Sequence, residues 1–273
     1  MKIFKICEIL DKLDNCIKFS LPFSHIRFGD GGVKFLHAIL FDDKKQLEII
    51  VRKEGLPRNK LLEIFELWGY YARKADFIDT PEVYFTDKFW DRTRSPGKPI
   101  TPKTELRLKM WKDLYERAEF DNTNYCNPES NYLMITKIRG GRTLLDIMRD
   151  RKVAIITACP KVKSKLHGFN IDIIKIVGHY ENQYRNSFQE VTEIIESDAT
   201  KYDFWLVAAG ELGRLYSGLI KERGGRAVDI GFVIEFWLGG DLHPRLQPFL
   251  RRSFNNNLEL QLTFVGKKFE GYI

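Results

Sequence analysis

Residues 203–231, DFWLVAAGELGRLYSGLIKERGGRAVDIG, constrain the fold more than any other stretch of the chain. The apolar run 204–209 reads as a buried strand and Gly210 as a turn. Residues 212–222 then read as one amphipathic helix, Gly224-Gly225 as its stop, and 227–230 as a second strand. Two strands joined through a single helix make a βαβ unit, which sets them parallel. Gly210 then stands at the carboxyl end of the first strand and Asp229 at that of the second. Ligands of open α/β sheets bind at those ends. A glycine there lets backbone approach a diphosphate, and a carboxylate about 20 positions on accepts ribose hydroxyl hydrogen bonds. The pattern points to a nucleotide.

The same alternation starts near residue 152, with strands at 153–158 and 171–177 and a helix at 187–197. Near-continuous apolar strands separated by helices predict an α/β fold, a mostly parallel sheet covered by helices on both faces. Upstream, Ile3, Ile6, Leu10, Leu13 and Ile17 recur at helical spacing, and 24–28 reads as a strand followed by a helix over 33–40. Residues 57–130 read as a mainly helical insertion, with helices at 59–74 and 101–117. Between those helices runs a proline-rich loop whose length suits a functional segment. Trp90 and Trp111 bracket a basic cluster that Tyr84, Phe85 and Phe89 precede, which makes the loop 80–102 a candidate acceptor-binding segment or lid; the alternative for each ring is burial in the core. Residues 258–265 alternate and predict an edge strand. At 273 residues the chain is long enough for one large domain carrying such an insertion.

No apolar run reaches the roughly 18–20 residues that span a bilayer. The N-terminus carries Glu8, Asp11 and Asp14 among its apolar residues, which argues against a secretory signal. Cys7, Cys16, Cys126 and Cys159 form no Cys-x-x-Cys pair and have no neighbouring histidines, so neither a zinc motif nor a disulfide framework is expected. Free thiols fit a cytoplasmic setting. The formal net charge of +7 is unevenly placed. Residues 92–112 hold seven basic side chains against Glu105, and 139–165 hold eight against Asp146 and Asp150. Solvated surface accounts for such clusters, or an anionic partner does: a sugar nucleotide, a polyanionic acceptor or nucleic acid. His179 follows a strand, where it would line a cleft or serve as an ordinary structural histidine.

A second turn is richer. Arg27-Phe28-Gly29-Asp30-Gly31-Gly32 places an arginine, an aspartate and three glycines between a strand and a helix. A helix N-terminus suits phosphate. An aspartate beside phosphate calls for a bridging divalent cation, or else simply caps the helix.

RFGDGG after an apolar strand resembles the RFGDGE signature of the GT-D-type glycosyltransferases. WLVAAGELGRLYSGLIKERGGRAVDIGFVIEFW is similar to that family's second signature: strand, glycine, helix, glycine, Asp-Ile-Gly and a downstream glutamate beside an aromatic. The resemblance runs from about residue 20 to residue 238. It implies a single Rossmann-like domain over 1–273 and an enzyme that transfers a sugar from a nucleotide-sugar donor such as UDP-glucose. It also implies a divalent cation, Mn²⁺ or Mg²⁺, held through an Asp-x-Glu pair. Arg27, Gly29, Asp30 and Gly31 match the first motif, and Gly210, Asp229, Gly231 and Glu235 the second. The donor would be bound by Arg27, Gly29, Asp30, Gly31, Gly210, Gly213 and Asp229, with Asp30 on the metal.

Two departures stand out. Gly32 replaces the family's glutamate, and Glu211 follows Gly210 where small or neutral residues are usual. One metal carboxylate is therefore missing, and arginine, which grips phosphate without a metal, would carry more of the diphosphate charge. The acceptor hydroxyl needs a general base. Glu235 is the first candidate and Asp229 the second. The acceptor would be a glycan, a glycoprotein or another anionic molecule, nucleic acid included. Two other readings are a nucleic-acid-binding or scaffold protein on a degenerate transferase fold, and a Rossmann-like methyltransferase or nucleotide hydrolase. The first lacks a helix-turn-helix, RNA-recognition or zinc motif. The methyltransferase lacks a multi-glycine loop at Gly210.

Overall fold

The computed structural model describes residues 3–27, 35, 37–79, 109, 124–126, 130–138, 142–178, 182–239, 260–264 and 267–268. Its strands are β1 (Ile3–Phe4), β2 (Phe23–Ile26), β3 (Phe77–Asp79), β4 (Asn124–Cys126), β5 (Thr136–Ile138), β6 (Lys152–Thr157), β7 (Asn170–Lys175), β8 (Phe204–Ala208), β9 (Arg226–Asp229), β10 (Leu260–Phe264) and β11 (Lys267–Lys268). Eight of these form one sheet in the order β1-β4-β3-β2-β9-β8-β6-β7. Every pairing within it is parallel. Helices α1 (Ile6–Lys18), α2 (Lys44–Glu54), α3 (Leu61–Lys74), α4 (Ser130–Ile135), α5 (Leu144–Met148), α6 (Val162–Lys165), α7 (Gln183–Asp198), α8 (Gly213–Glu222) and α9 (Ile234–Gly239) cover it.

The apolar strands follow from burial on both faces. In β8, Trp205 and Val207 enter one core and Phe204 and Leu206 the other; in β6, Ala154 and Ile156 are opposed to Val153 and Ile155. A strand's side chains alternate between faces, so only a continuous apolar run satisfies two cores at once. The first core takes α2, α3, α7 and α8, through residues such as Trp68, Val191 and Tyr216. The second takes α1, α4, α5, α6 and α9, through Leu13, Met134, Leu144, Val162 and Trp237. Gly218 lets α8 meet α3, because the Tyr71 side chain occupies the place a Cβ would need. The chain is therefore α/β and Rossmann-like, as the pattern predicts.

Three expectations shift. Ile3 and Phe4 belong to an edge strand paired with β4, and α1 begins only at Ile6, where the Glu8 carboxylate accepts the Lys5 backbone N–H at 2.7 Å. The 258–265 segment is no edge of the main sheet. β10 is the middle strand of a separate antiparallel sheet, ordered β11-β10-β5. The 57–130 stretch contributes β3 and β4 to the main sheet, and α3 packs in its core. Its two ends are thus part of the fold. The proline-rich loop and the helix expected at 101–117 lie outside the described residues, apart from Lys109.

Candidate functional site

The strand order places a topological switch point between β2 and β9. β2 and β9 are neighbours, with His25 opposite Val228. After β2 the chain passes to the first core through Phe35, Ala38 and α2, whereas after β9 it passes to the second through Val233 and α9. Connections that leave adjacent parallel strands for opposite faces open a gap at the carboxyl ends, the topological switch point where α/β sheets bind ligands. β8 lies on the other side of β9, with Val207 opposite Asp229. Arg27, directly after β2, and the turn after β8 therefore flank Asp229 on one rim.

Arg27 stands at this point, gripped from several directions. Its backbone N–H donates to Asp229 Oδ2 at 3.4 Å, and its carbonyl accepts from Arg214 Nε at 2.7 Å. Its Nε lies 3.7 Å from Asp79 Oδ2, and the Arg27 side chain is 12% exposed. The guanidinium occupies the space where a Cβ on Gly231 would sit. Gly231 also has φ +53°, a left-handed conformation that glycine adopts without strain. Its N–H donates to Asp229 Oδ1 at 3.1 Å. Asp229 is 3% exposed, and burial raises its pKa although Arg27, Arg214 and His25 pull it down. One carboxylate thus fastens the end of β2 to the turn after β9.

The second turn sits alongside. Gly210, with φ +53°, enters a 3₁₀ turn (Gly210–Leu212) that runs into α8. A Cβ on Gly213 would stand 3.6 Å from both Asp229 carboxylate oxygens, so Gly213 and Asp229 are in contact. Glu211, placed where a negative charge would repel phosphate, is held by Arg214 Nη1 at 2.6 Å. That pairing offsets the charge. Gln183, at the start of α7, is buried beside Gly210, and its Oε1 has no hydrogen bond among the described residues. Glu235 lies in the first turn of α9, half-buried; Cys159, two residues beyond β6, has its pKa raised by its own burial and by the charge of Glu235.

Of the candidate residues, Arg27, Gly210, Gly213, Asp229 and Gly231 are together at the rim, and Glu235 follows on the helix leading away from it. Gly29, Asp30 and Gly31, with His179, lie outside the described residues. Sequence reasoning missed Arg214, an apparent surface residue of an amphipathic helix that is in fact buried. It also missed Asp79, which ends a three-residue strand, and its neighbours His25, Cys126 and Ser130. His25 Nε2, Asp79 Oδ1 and Cys126 Sγ lie within 4.8 Å of one another and could hold a metal ion. Part of the second basic cluster is structural: Arg142 and Arg151 bind Asp14, and Lys152 lies 4.0 Å from Asp172.

No protein-family model and no curated protein matches the chain. Two solved structures do. One is of the highly conserved domain of unknown function 1792, described as having a distinct glycosyltransferase fold, with a TM-score of 0.55 and 14% identity. The other is a selenomethionine-substituted structure of domain of unknown function 1792, with a TM-score of 0.53 and 16% identity. Each match covers 88% of this chain and 81% of the other. At such identities the likeness is one of fold: the chain has the glycosyltransferase-like fold of those structures. Among the described residues no helix is long and apolar enough to cross a membrane, and all four cysteines are free.

Proposed function

We propose that the chain transfers a sugar from a nucleotide-sugar donor of the UDP-glucose kind to an acceptor hydroxyl. The observation carrying this reading is the convergence of Arg27, the Gly210–Gly213 turn and the Asp229–Gly231 turn at the switch-point crevice of a glycosyltransferase-like fold. In the reaction the acceptor oxygen bonds to the anomeric carbon, and the sugar–diphosphate bond breaks with its electron pair leaving on the nucleoside diphosphate. The acceptor proton passes to a base. We assign the base to Glu235, half-buried on α9. Asp229, almost fully buried, we assign to holding Arg27 and the Gly231 turn, with the ribose as its ligand where it is reached. The leaving diphosphate faces Arg27 and the N-terminal end of α8, whose dipole favours an anion.

A magnesium or manganese ion fits these residues poorly. Gly32 leaves Asp30 as the loop's one carboxylate. Asp229 is engaged by two N–H groups, and Asp79 by Ser130 and Arg27. Such cations want several oxygen ligands. No step is derived through one. The acceptor in this reading is a glycan or other anionic molecule, and the free thiols suit the cytoplasm.

The test is a panel of sugar nucleotides, with and without Mn²⁺ or Mg²⁺, scored by thermal shift and by release of nucleoside diphosphate. UDP-glucose or a relative should raise the melting temperature and be turned over. A panel giving neither shift nor release refutes the proposal.

A further inference from the structure

The strand ends beside Arg27 carry a buried cluster that touches the proposed donor site only through the contact of Asp79 with Arg27. His25 ends up on β2, Asp79 on β3, Cys126 on β4 and Ser130 at the start of α4, and all four are 0–1% exposed. The His25 Nε2–Asp79 Oδ1 separation is 3.4 Å, His25 Nε2–Cys126 Sγ is 3.4 Å, and Cys126 Sγ–Asp79 Oδ1 is 3.3 Å. Tetrahedral zinc with ordinary bond lengths to nitrogen, oxygen and sulfur places its ligand atoms roughly 3.4–3.6 Å apart. The triangle in this protein has those edges to within a few tenths of an ångström.

As hydrogen bonds the two thiol contacts are ordinary for sulfur, and Cys126 Sγ also reaches the Ile78 carbonyl at 3.3 Å; the His25–Asp79 contact is the long one. An N–H···O bond is normally about 2.9–3.0 Å, and the His25–Asp79 contact is well beyond that. The carboxylate is also used unevenly. Oδ1 meets the histidine, the thiol and the Ser130 hydroxyl, the last at 2.7 Å, while Oδ2 has no hydrogen bond among the described residues and faces Arg27 Nε at 3.7 Å. One oxygen crowded by would-be ligands, with the other turned to an arginine, is how a monodentate metal carboxylate sits with a supporting partner.

We propose that His25, Asp79 and Cys126 form a binding site for zinc, with the Ser130 hydroxyl, now 2.7 Å from Asp79 Oδ1 and 3.0 Å from His25 Nε2, moving out by about half an ångström to become its neutral fourth donor. Thiolate and imidazole select a thiophilic divalent cation over magnesium or manganese. Charge also balances: a dication with one thiolate and one carboxylate is neutral, as a fully buried site requires. On binding, the Cys126 S–H proton leaves for solvent. The closed, dry set makes the ion structural. It ties three strands and one helix together behind Arg27. This inference stands apart from the transferase reading, because its readouts are metal content and stability.

The experiment measures zinc in the purified full chain after gel filtration, the melting temperature after chelator dialysis and zinc return, and the absorption spectrum of the cobalt-loaded protein. Stoichiometric zinc is expected, with a melting temperature that falls on chelation and recovers with zinc. The cobalt form should show a thiolate charge-transfer band that Cys126→Ser removes. Should Cys126→Ser fail to fold, Cys→Ser variants at 7, 16 and 159 that all keep the band assign the thiolate by elimination. Substoichiometric zinc with a metal-independent melting temperature overturns the proposal. So does a cobalt band that survives Cys126→Ser or that is lost in one of the other three variants.

Discussion

Gly231 and Arg27 contest one volume, and Gly231→Ala measures how tightly that contest is drawn. A methyl at 231 meets two penalties. The backbone there has φ +53°, and holding a non-glycine residue in the left-handed region costs roughly 1–2 kcal/mol. The new Cβ also lands on Arg27 Nη1 and forces the guanidinium away from Asp79, whose side chain is 2% exposed. Breaking a buried ion pair costs about 3–5 kcal/mol. The 3.7 Å separation and the partial exposure of Arg27 put this one at the low end. The expected total is ~4–5 kcal/mol, or a melting temperature lower by roughly 8–20 °C, since each kcal/mol moves a protein of this size by about 2–4 °C. Gly224→Ala is the control. Its φ of +83° imposes the backbone penalty, while its Cβ meets only Thr200 Cγ2 at an ordinary 3.4 Å. Urea unfolding of Gly231→Ala, Arg27→Ala and the double variant completes a cycle. In the Arg27→Ala background Gly231→Ala should cost no more than Gly224→Ala does. An equal cost in both backgrounds would falsify the claim that Gly231 is there to admit Arg27.

Three other outcomes follow from burial and charge. Burial raises the pKa of Glu54 above its ordinary 4.5, so its charge weakens the fold above the folded pKa and the penalty vanishes as pH falls through it. Glu54→Gln should therefore stabilise by on the order of 1 kcal/mol near pH 7, with the gain shrinking toward pH 4.5; a flat difference across that range refutes it. Asp14 goes the other way: burial raises its pKa, but the hydrogen bonds and charges of Arg151 and Arg142 outweigh that and hold it below 3.8. Asp14→Asn should lose up to ~1 kcal/mol at neutral pH and converge with the parent as pH drops below 3.8, read by pH-dependent melting. Glu235→Gln should lower turnover by about 10²–10⁴-fold while leaving donor affinity in place; unchanged turnover removes Glu235 as the base.

The segments that could be read directly are those where local pattern and tertiary demand coincide. β8, α8 and β9 each carry enough residues for a period to show, and Gly224, with φ +83°, ends the helix where a left-handed turn is needed. β3 and β4 are three residues each and are defined by pairing with each other and with β2 or β1, so no local period marks them. Ile3 shares helical spacing with Ile6, and only its pairing with Tyr125 makes it a strand residue. The rim was half legible. Arg27 directly follows β2 and Asp229 ends β9, and each stands beside a glycine signature in the sequence. Asp79, Cys126 and Ser130 join the rim only through contacts between residues 47 to 105 positions apart, which no spacing rule covers.

The carboxylates at this rim divide by what surrounds them. Asp229 has its oxygens on the N–H groups of Arg27 and Gly231, and removing it would orphan both at roughly 1–3 kcal/mol each. Asp79 has one oxygen in the histidine–thiol–hydroxyl cluster and the other toward Arg27. Both are fixed by closed contacts, and a base that must shed its proton to water every turnover cannot be so enclosed. Glu235 is only half-buried, on the helix that carries the chain away from the crevice to the opposite face. If a sugar is transferred here, the buried pair sets the position of Arg27 against the diphosphate, and proton traffic runs through Glu235. The division follows from the strand order, since Arg27 can be held by both aspartates only because β2 lies between β9 and β3.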